Sequence, residues 1–456
     1  MKLNNNELQA SGGLPYGWRV ATLGEVLPLT YGKALKKDIR DESGKVPVYG
    51  SSGPVGVHSS ALTTKPALIV GRKGSVGEVY RSTVPCWPID TVYFAEQRED
   101  SDIKFFEYLL KGLKLNRLDK STAVPGLSRD DYNAVEVAIA PFDQQKSIVA
   151  EIEKQFSRLD EAVANLNRVK ANLKRYKAAV LKAAVEGRLV ETEAELAHRE
   201  GRRYETGAQL LQRILETRRS QWKGKGKYKE PAAPDTTDLP DLPEGWMWAT
   251  LDAIAALKGG ITVDSNRVDS TARSVPYLRV ANVQRGYLDL SEVKYINAPA
   301  TDINDLRLKH GDILFNEGGD RDKLGRGWIW EEQLKACIHQ NHVFRARLFA
   351  KDVSSKLVSW WGNSFGKEYF SREGKQTTNL ASINLTKLSA FPVPLPPPAE
   401  QKRLVAAYER RLSLVEGVEM QIEANLKRAE RLRQSVLSDA FSGKLSRQEA
   451  SLGVAA

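Results

Sequence analysis

Two stretches of the chain repeat apolar residues every seven positions, the spacing that keeps one face of a helix dry. In the first, Ile152, Leu159, Leu166, Leu173 and Val180 recur, with Phe156, Val163 and Ala184 four residues beyond members of that row. In the second, Tyr408, Val415, Ile422, Ala429 and Val436 recur with Leu412, Leu426 and Ala440 alongside, while Glu419 and Arg433 interrupt the inner row. The spacing predicts two helices meeting along a coiled-coil seam, each of about 45 residues and therefore roughly 65 to 70 Å long. Pro141 and Pro396-Pro397-Pro398 precede them as start signals, and Gly187 and Gly443 follow as exit signals. Elsewhere, short β-branched and aromatic runs such as Ala67 to Val70, Thr91 to Phe94 and Val343 to Ala346 are bounded by Gly, Ser, Pro or Asp. They predict two mixed but strand-rich bodies, over about 27–140 and 255–393.

The two bodies and helices are tandem copies. Leu14-Pro15-Tyr16-Gly17-Trp18 with Ala21-Thr22-Leu23 returns as Leu242-Pro243-Glu244-Gly245-Trp246 with Ala249-Thr250-Leu251, at an offset of 228. The helical stretch from Gln145-Lys146 through Val180-Leu181 to Gly187-Arg188-Leu189 returns as Gln401-Lys402, Val436-Leu437 and Gly443-Lys444-Leu445, at an offset of 256. The second body is therefore 28 residues longer. Between the copies, 206–216 reads as a short amphipathic helix and 217–241 as a polar linker containing Lys223-Gly224-Lys225-Gly226-Lys227 and Pro231-Ala232-Ala233-Pro234. Duplication implies two similar tasks.

Charge narrows the class of partner. The chain has 456 residues, with 68 Lys and Arg against 57 Asp and Glu, a net +11 that favours a polyanion, nucleic acid ahead of an acidic lipid surface. No run of about 18 apolar residues occurs and Met1 to Gly13 is polar, so the expectation is a soluble, cytoplasmic protein without a membrane association. Cys86 and Cys337 are too few and too distant for a disulfide framework or zinc site and are expected to be buried or idle thiols.

Searching for catalytic chemistry returns little. An adenine methyltransferase needs an Asn or Asp before Pro-Pro and a Gly-rich cofactor loop after a strand; Pro396-Pro397-Pro398-Ala399-Glu400 has only the prolines. Gly71-Arg72-Lys73-Gly74-Ser75-Val76-Gly77 lacks the spacing of an NTPase phosphate loop. Asp320-Arg321-Asp322-Lys323 superficially offers a nuclease its carboxylates and lysine, but its glycine-rich surroundings read as a mobile loop. His339 and His342 are spaced to face opposite ways on a strand, against a metal site.

Basic, glycine-rich and amide-rich loops remain. Ser51, Ser52, Arg72, Lys73, Gly74 and Ser75 suit phosphate anchoring, through hydroxyls, cations and close backbone approach. Arg279, Asn282, Gln284, Asn316, Arg321, Lys323, Arg326, Gln340 and Asn341 form the second set, in which Arg suits guanine and Asn or Gln adenine. Each alone reads more readily as a solvated loop residue or a structural hydrogen bond than as a base contact. The basic face of the first helix (Arg168, Lys170, Lys174, Arg175, Lys177, Lys182, Arg188) and the linker cluster Arg218 to Lys229 read as well as solvated surface.

The paired Leu-Pro-x-Gly-Trp lead-ins, the Pro-rich approaches to Gln-Lys helices and the duplicated plan resemble the specificity subunits of type I restriction-modification enzymes over nearly the whole chain. Val46 to Gly53, Gly71 to Ser75 and Trp87 to Asp90 in the first body, with Val275 to Val283, Gly311 to Gly319 and Gln340 to His342 in the second, resemble that family's target-recognition domains. The resemblance implies an α+β chain with two target-recognition domains, each followed by a long helix, the helices packed as an antiparallel coiled coil with approximate twofold symmetry. It divides the chain into a first recognition domain (1–142), a central spacer helix (143–190), an inter-repeat helix and linker (191–241), a second recognition domain (242–398), a C-terminal spacer helix (399–446) and a tail (447–456). It implies double-stranded DNA, two modification subunits and restriction subunits as partners, with S-adenosylmethionine, ATP and Mg used by those partners and no cofactor in this chain. A self-contained methyltransferase or nuclease, or a coiled-coil scaffold that reads nothing, are the competing expectations.

Overall fold

The computed structural model describes residues 14–119, 126–222, 226–263, 272–319, 323–376 and 381–445. It divides into two compact units, 1–170 with 420–456, and 171–419. Mixed helices and small sheets build both, in the α+β manner expected, and the same elements recur in the same order.

In the first unit, Arg19–Thr22 pairs antiparallel with Glu136–Ile139. A four-stranded sheet follows in the order Thr30–Tyr31, Val92–Glu96, Ala67–Gly71, Val79–Ser82, and Ala67–Gly71 is buried throughout, as its unbroken apolar run requires. A three-stranded sheet of Gly53–His58, Val46–Gly50 and Trp87–Pro88 has its last pair parallel. Helix Ile103–Leu113, capped by the Asp102 carboxylate, places Phe105, Phe106, Leu109 and Leu110 in the core.

The second unit repeats this. Met247–Thr250 pairs with Pro392–Leu395, and Ala255–Lys258, Val343–Leu348, Ile313–Asn316 and Gly327–Ile329 form the four-stranded sheet. Lys294–Ala298, Arg273–Leu278 and Ile338–His339 form the three-stranded one, again ending in a parallel pair. Part of its extra length builds a small sheet of Gly318–Gly319, Ala381–Ser382 and Lys375–Gln376 and a helix, Ser355–Glu373, longer than its counterpart. The amphipathic segment after the first long helix is Gly207–Ser220, four residues longer at its C-terminal end than the sequence signal, and buries Leu210 and Ile214.

The long helices are Phe142–Val185 and Pro398–Phe441, 44 residues each. In the first unit Asp160 meets Arg433 and Lys170 meets Glu423; in the second Lys177 meets Glu419 at 2.8 Å. Within each unit the numbering rises along one helix as it falls along the other, so the segments run antiparallel. Ile152, Val180, Val415 and Ile422 are buried in the seam, while Leu159, Leu166, Leu173, Leu426 and Val436 are half-buried, as a two-helix ridge covers its apolar row only partly. The two interruptions in the second helix now have a cause: Glu419 and Arg433 are the seam's charged partners, and Arg433 also lies 4.5 Å from the Phe156 ring centre.

Each helix is fixed to its body by one glutamine. Gln145 accepts from the Asp102 amide (2.9 Å) and donates to the Ala140 carbonyl (3.0 Å); Gln401 accepts from the Ser354 amide (2.7 Å) and donates to the Pro396 carbonyl (2.9 Å). The lead-in tryptophans add a second tie, Trp18 donating to Gln144 and Trp246 to Glu400, both at 2.8 Å. Gly187 and Gly443 end the helices at φ +72° and +76°; a side chain at Gly187 would meet Pro243 and Trp246, and one at Gly443 would meet Pro15. Replacing Gln401 by leucine strands the Ser354 amide and the Pro396 carbonyl, and is expected to cost about 1 to 3 kcal/mol in denaturant unfolding of the whole chain. An unchanged midpoint would show that the tie is ornamental.

Candidate nucleic-acid interface

In both bodies three loops converge at one end of the four-stranded sheet. In the first they are the Ser51-Ser52 hairpin, the loop Arg72 to Glu78 that follows the central strand, and the Ile89 to Thr91 turn. The Ile89 amide donates to the Tyr49 carbonyl (2.9 Å), and the Arg72 and Lys73 amides donate to the Thr91 carbonyl (3.0 and 3.1 Å). A side chain at Gly74 would lie 3.2 Å from the Ser51 hydroxyl, so these two candidates are brought together. Lys73, Gly74 and Ser52 are exposed, Arg72, Ser51 and Ser75 partly so.

This loop does not offer a row of free amides to a phosphate. The N–H groups of Gly71, Arg72, Lys73, Val76 and Gly77 are all spent on carbonyls of the chain. Side chains carry the positive charge instead. The Arg72 guanidinium lies 5.2 Å from the centre of the Tyr31 ring and 5.9 Å from that of Tyr93, and Arg129 lies 5.1 Å from Tyr31. Tyr31 is half exposed, and its ring meets Tyr93 edge-on at 5.0 Å. Burial pushes the Tyr93 phenol up to about 12, so it remains a neutral donor, to the Leu127 carbonyl. Tyr31 and Arg129 went unnoticed in the sequence because 98 residues separate them and neither lies in a glycine-rich loop.

The second body divides its candidates. Asn282 is buried, accepting from the Arg279 amide and donating to the Asp289 and Glu292 carbonyls (2.9 Å each). Asn316 is fully buried and donates to the Val280 and Val283 carbonyls. Both therefore pin backbone, and their assignment as base readers is corrected: an amide with its hydrogens spent inside the fold cannot also meet adenine. Arg279 reaches Glu292 at 3.3 Å, Gln284 donates to the Ala281 carbonyl (2.6 Å), and Arg326 reaches the Val280 carbonyl (3.4 Å). Gln340 and Asn341 lie on the turn after the parallel strand, partly exposed, with amides donating to the Leu278 and Ile261 carbonyls. Lys323 is partly buried on the loop beyond the central strand; Arg321 falls outside the described residues. His342 on the Gln340 turn contacts Glu317, a pair the sequence reading did not select.

A polar cluster lies at the opposite end of the same sheet from these loops. Arg347 holds Asp312 with two 2.7 Å bonds, and Arg345 donates to the Asp305 and Arg307 carbonyls. His339, at the end of a strand and buried, bonds the Val343 carbonyl, while His342 lies exposed on the following turn, so the two diverge through the turn rather than by alternation along one strand. Among the described residues no group of three or more His, Cys, Asp or Glu could hold a metal ion, and no helix is long and apolar enough to cross a membrane. Cys86 and Cys337 are buried, and burial pushes the Cys337 thiol up to about 12. Arg218, expected in the linker, lies in the last turn of the helix Gly207–Ser220, where it bonds Asp252 at 2.8 Å and stacks on Tyr228, a structural role rather than that of a free basic arm.

Residues 15–175 match the model of the type I restriction modification DNA specificity domain. The chain is similar to type I specificity subunits. It is 22% identical to the EcoDI specificity subunit of Escherichia coli, covering 96% of this chain and 91% of that protein. It is 20% identical to the EcoKI specificity subunit of Escherichia coli strain K12, covering 74% of this chain but only 63% of that protein. A chain from a solved type I R-M system shares the fold at a TM-score of 0.56 and 18% identity, over 94% of this chain and 98% of that one. The match to the family model spans the first body and most of the first long helix, and the duplication carries the same elements into the second.

The buried histidine gives this frame a pH dependence. Burial pushes His339 down to about 4, helped by the nearby Arg345 and Arg347 and opposed by its bond to Val343. A neutral histidine that titrates near 6.5 once unfolded contributes its full stability above about 6.5, and that contribution drains away as the pH falls toward 4. Thermal unfolding between pH 7.5 and 5 should therefore decline less steeply for His339→Gln than for the parent chain. Parallel declines would remove His339 from the account.

Proposed function

We propose that this chain is the DNA-recognition component of a type I restriction-modification complex, with each body reading one half of an interrupted, asymmetric target in double-stranded DNA. The observation that carries the reading is the repeated convergence of three loops on the same strand framework with different side chains: Ser51, Arg72 and Lys73 in one body, Arg279, Gln340, Asn341 and Lys323 in the other. A common frame with unlike loops is what two unlike half-sites require. Arg72, Lys73, Arg129 and the neighbouring hydroxyls supply backbone and base contacts on the first side, and the partly exposed polar side chains supply them on the second.

In this reading the domain division runs 1–142, 143–190, 191–241, 242–398, 399–446 and 447–456, with recognition in the first and fourth segments. The two 44-residue helices, each about 66 Å long, set the gap between half-sites and dock two modification subunits. Half-sites read from one face of B-DNA have centres about one turn, roughly 34 to 36 Å, apart, a distance helices of this length can bridge. The chain has no catalytic task here: methyl transfer with S-adenosylmethionine, and translocation and cleavage with ATP and Mg, belong to the modification and restriction subunits. The relatives' description as specificity subunits supports that assignment.

Two measurements test it. The chain assembled with modification subunits should bind its target about 10³-fold or more above random duplex at fixed salt; equal affinity for all sequences would leave only a scaffold. Inserting one heptad into both helices at facing positions adds about 10 Å, or about three base pairs. Methylome mapping should then show a gap widened by that amount with the half-site letters kept, and altered letters at an unchanged gap would contradict the spacer role.

A further inference from the structure

The two bodies carry opposite charges at one structurally equivalent position. Gly71 pairs with Val92 in the first sheet, and Asn316 pairs with Val343 in the second. The next residues, Arg72 and Glu317, each donate a backbone N–H to the residue before the partner strand, Arg72 to Thr91 and Glu317 to His342, both at 3.0 Å. The adjoining turns also coincide: the Val92 amide closes on the Ile89 carbonyl as the Val343 amide closes on the Gln340 carbonyl (3.1 and 2.8 Å). Arg72 and Glu317 therefore leave the same strand end, in loops held the same way, toward the same side of their sheets.

Their surroundings orient them differently. Arg72 stacks on Tyr31 and Tyr93 and has no carboxylate partner among the described residues, so its guanidinium is held in place with its hydrogens available. Glu317 is partly exposed and held by the His342 imidazole, itself on the equivalent turn. A carboxylate facing duplex DNA is repelled by phosphates, and an interface tolerates one where it accepts from a base amine, the cytosine N4 group above all. A guanidinium at the same place matches the N7 and O6 acceptors of guanine.

We propose that this position reads a base in both bodies: Arg72 selects guanine in the first half-site, and Glu317, oriented by His342, selects a base presenting an exocyclic amine in the second. The proposal rests on the DNA-recognition reading and deepens it by naming the discriminating residue of each body. Tyr31 and His342 act as positioning residues behind it.

The test uses the full chain assembled with its modification subunits, selecting from duplexes randomised in each half-site in turn. Arg72→Lys keeps the charge and loses the planar fork, and should relax one G·C position of the first half-site by about tenfold or more while the second half-site is unchanged. Glu317→Leu, which removes the acceptor, should relax one position of the second half-site to a similar degree and leave the first intact. Replacing the affected cytosine by 2-pyrimidinone, or the affected adenine by purine, removes the amine; this should weaken binding of the parent chain about tenfold and leave Glu317→Leu indifferent. The two arms tell cytosine from adenine. Uniform loss over all sequences, relaxation at an A·T pair by Arg72→Lys, or unchanged letters with both variants would overturn the proposal while half-site selection by the parent chain stood. Absence of any selection by the parent chain would instead sink the recognition reading itself.

Discussion

The structure depends on the joint between each body and its long helix. A helix can hold a recognition surface in a set direction only if its first turn cannot pivot, and first turns carry unsatisfied amides that invite water and fraying. Here the side-chain amides of Gln145 and Gln401 each bridge a carbonyl just before the helix and the amide at the start of a second helix of the body. Opening the joint leaves a buried carbonyl without its donor and a part-buried amide without its acceptor, a cost of order 1 to 3 kcal/mol in all. The Gln-Lys start recurs in both copies, and in each its glutamine donates and accepts at once.

Equivalent joints are not chemically identical. Where the first copy places Gln144 against Trp18, the second places Glu400 against Trp246. Burial raises the Glu400 carboxyl, and its second oxygen accepts from the Glu193 amide. Burial alone would raise Glu193 as well, but bonds from Arg403 and Arg202 hold it below the ordinary range. The second joint thus ties in the helix Glu193–Glu200 of the inter-repeat segment, which an uncharged glutamine could not do through two oxygens. Along the seam, charge again takes places that the heptad pattern reserves for apolar residues, with Lys177 on Glu419 and Asp160 on Arg433 setting which residues face one another.

The loops are free to differ because the frame beneath them is over-determined. Asn282 and Asn316 hold backbone carbonyls, Asp312 is locked by Arg347, and paired strands fix where each loop leaves the sheet. Changing Arg72 for Glu317 at one strand end alters what the surface attracts without disturbing the hydrogen bonds that place it. Recognition surfaces on rigid elements can diverge in this way, whereas surfaces that build their own support cannot.

The chain sequence by itself determined the duplication, the two helices with their ends, and which loops carry polar chemistry. Each is written in local signals: the seven-residue recurrence from Ile152 to Val180, the proline starts and glycine exits, the paired lead-ins around Trp18 and Trp246. Tertiary structure alone decided which candidates face outward. Asn282 and Arg279 lie three residues apart in one loop, yet the first is enclosed and the second reaches a surface carboxylate, because burial depends on what distant strands bring overhead. The same holds for Tyr31 with Arg129, and for Glu317 with His342, which meet only because antiparallel pairing brings sequence-distant strand ends together. Periodicity records which face of an element is apolar; it holds no record of which polar side chains the fold will spend on itself.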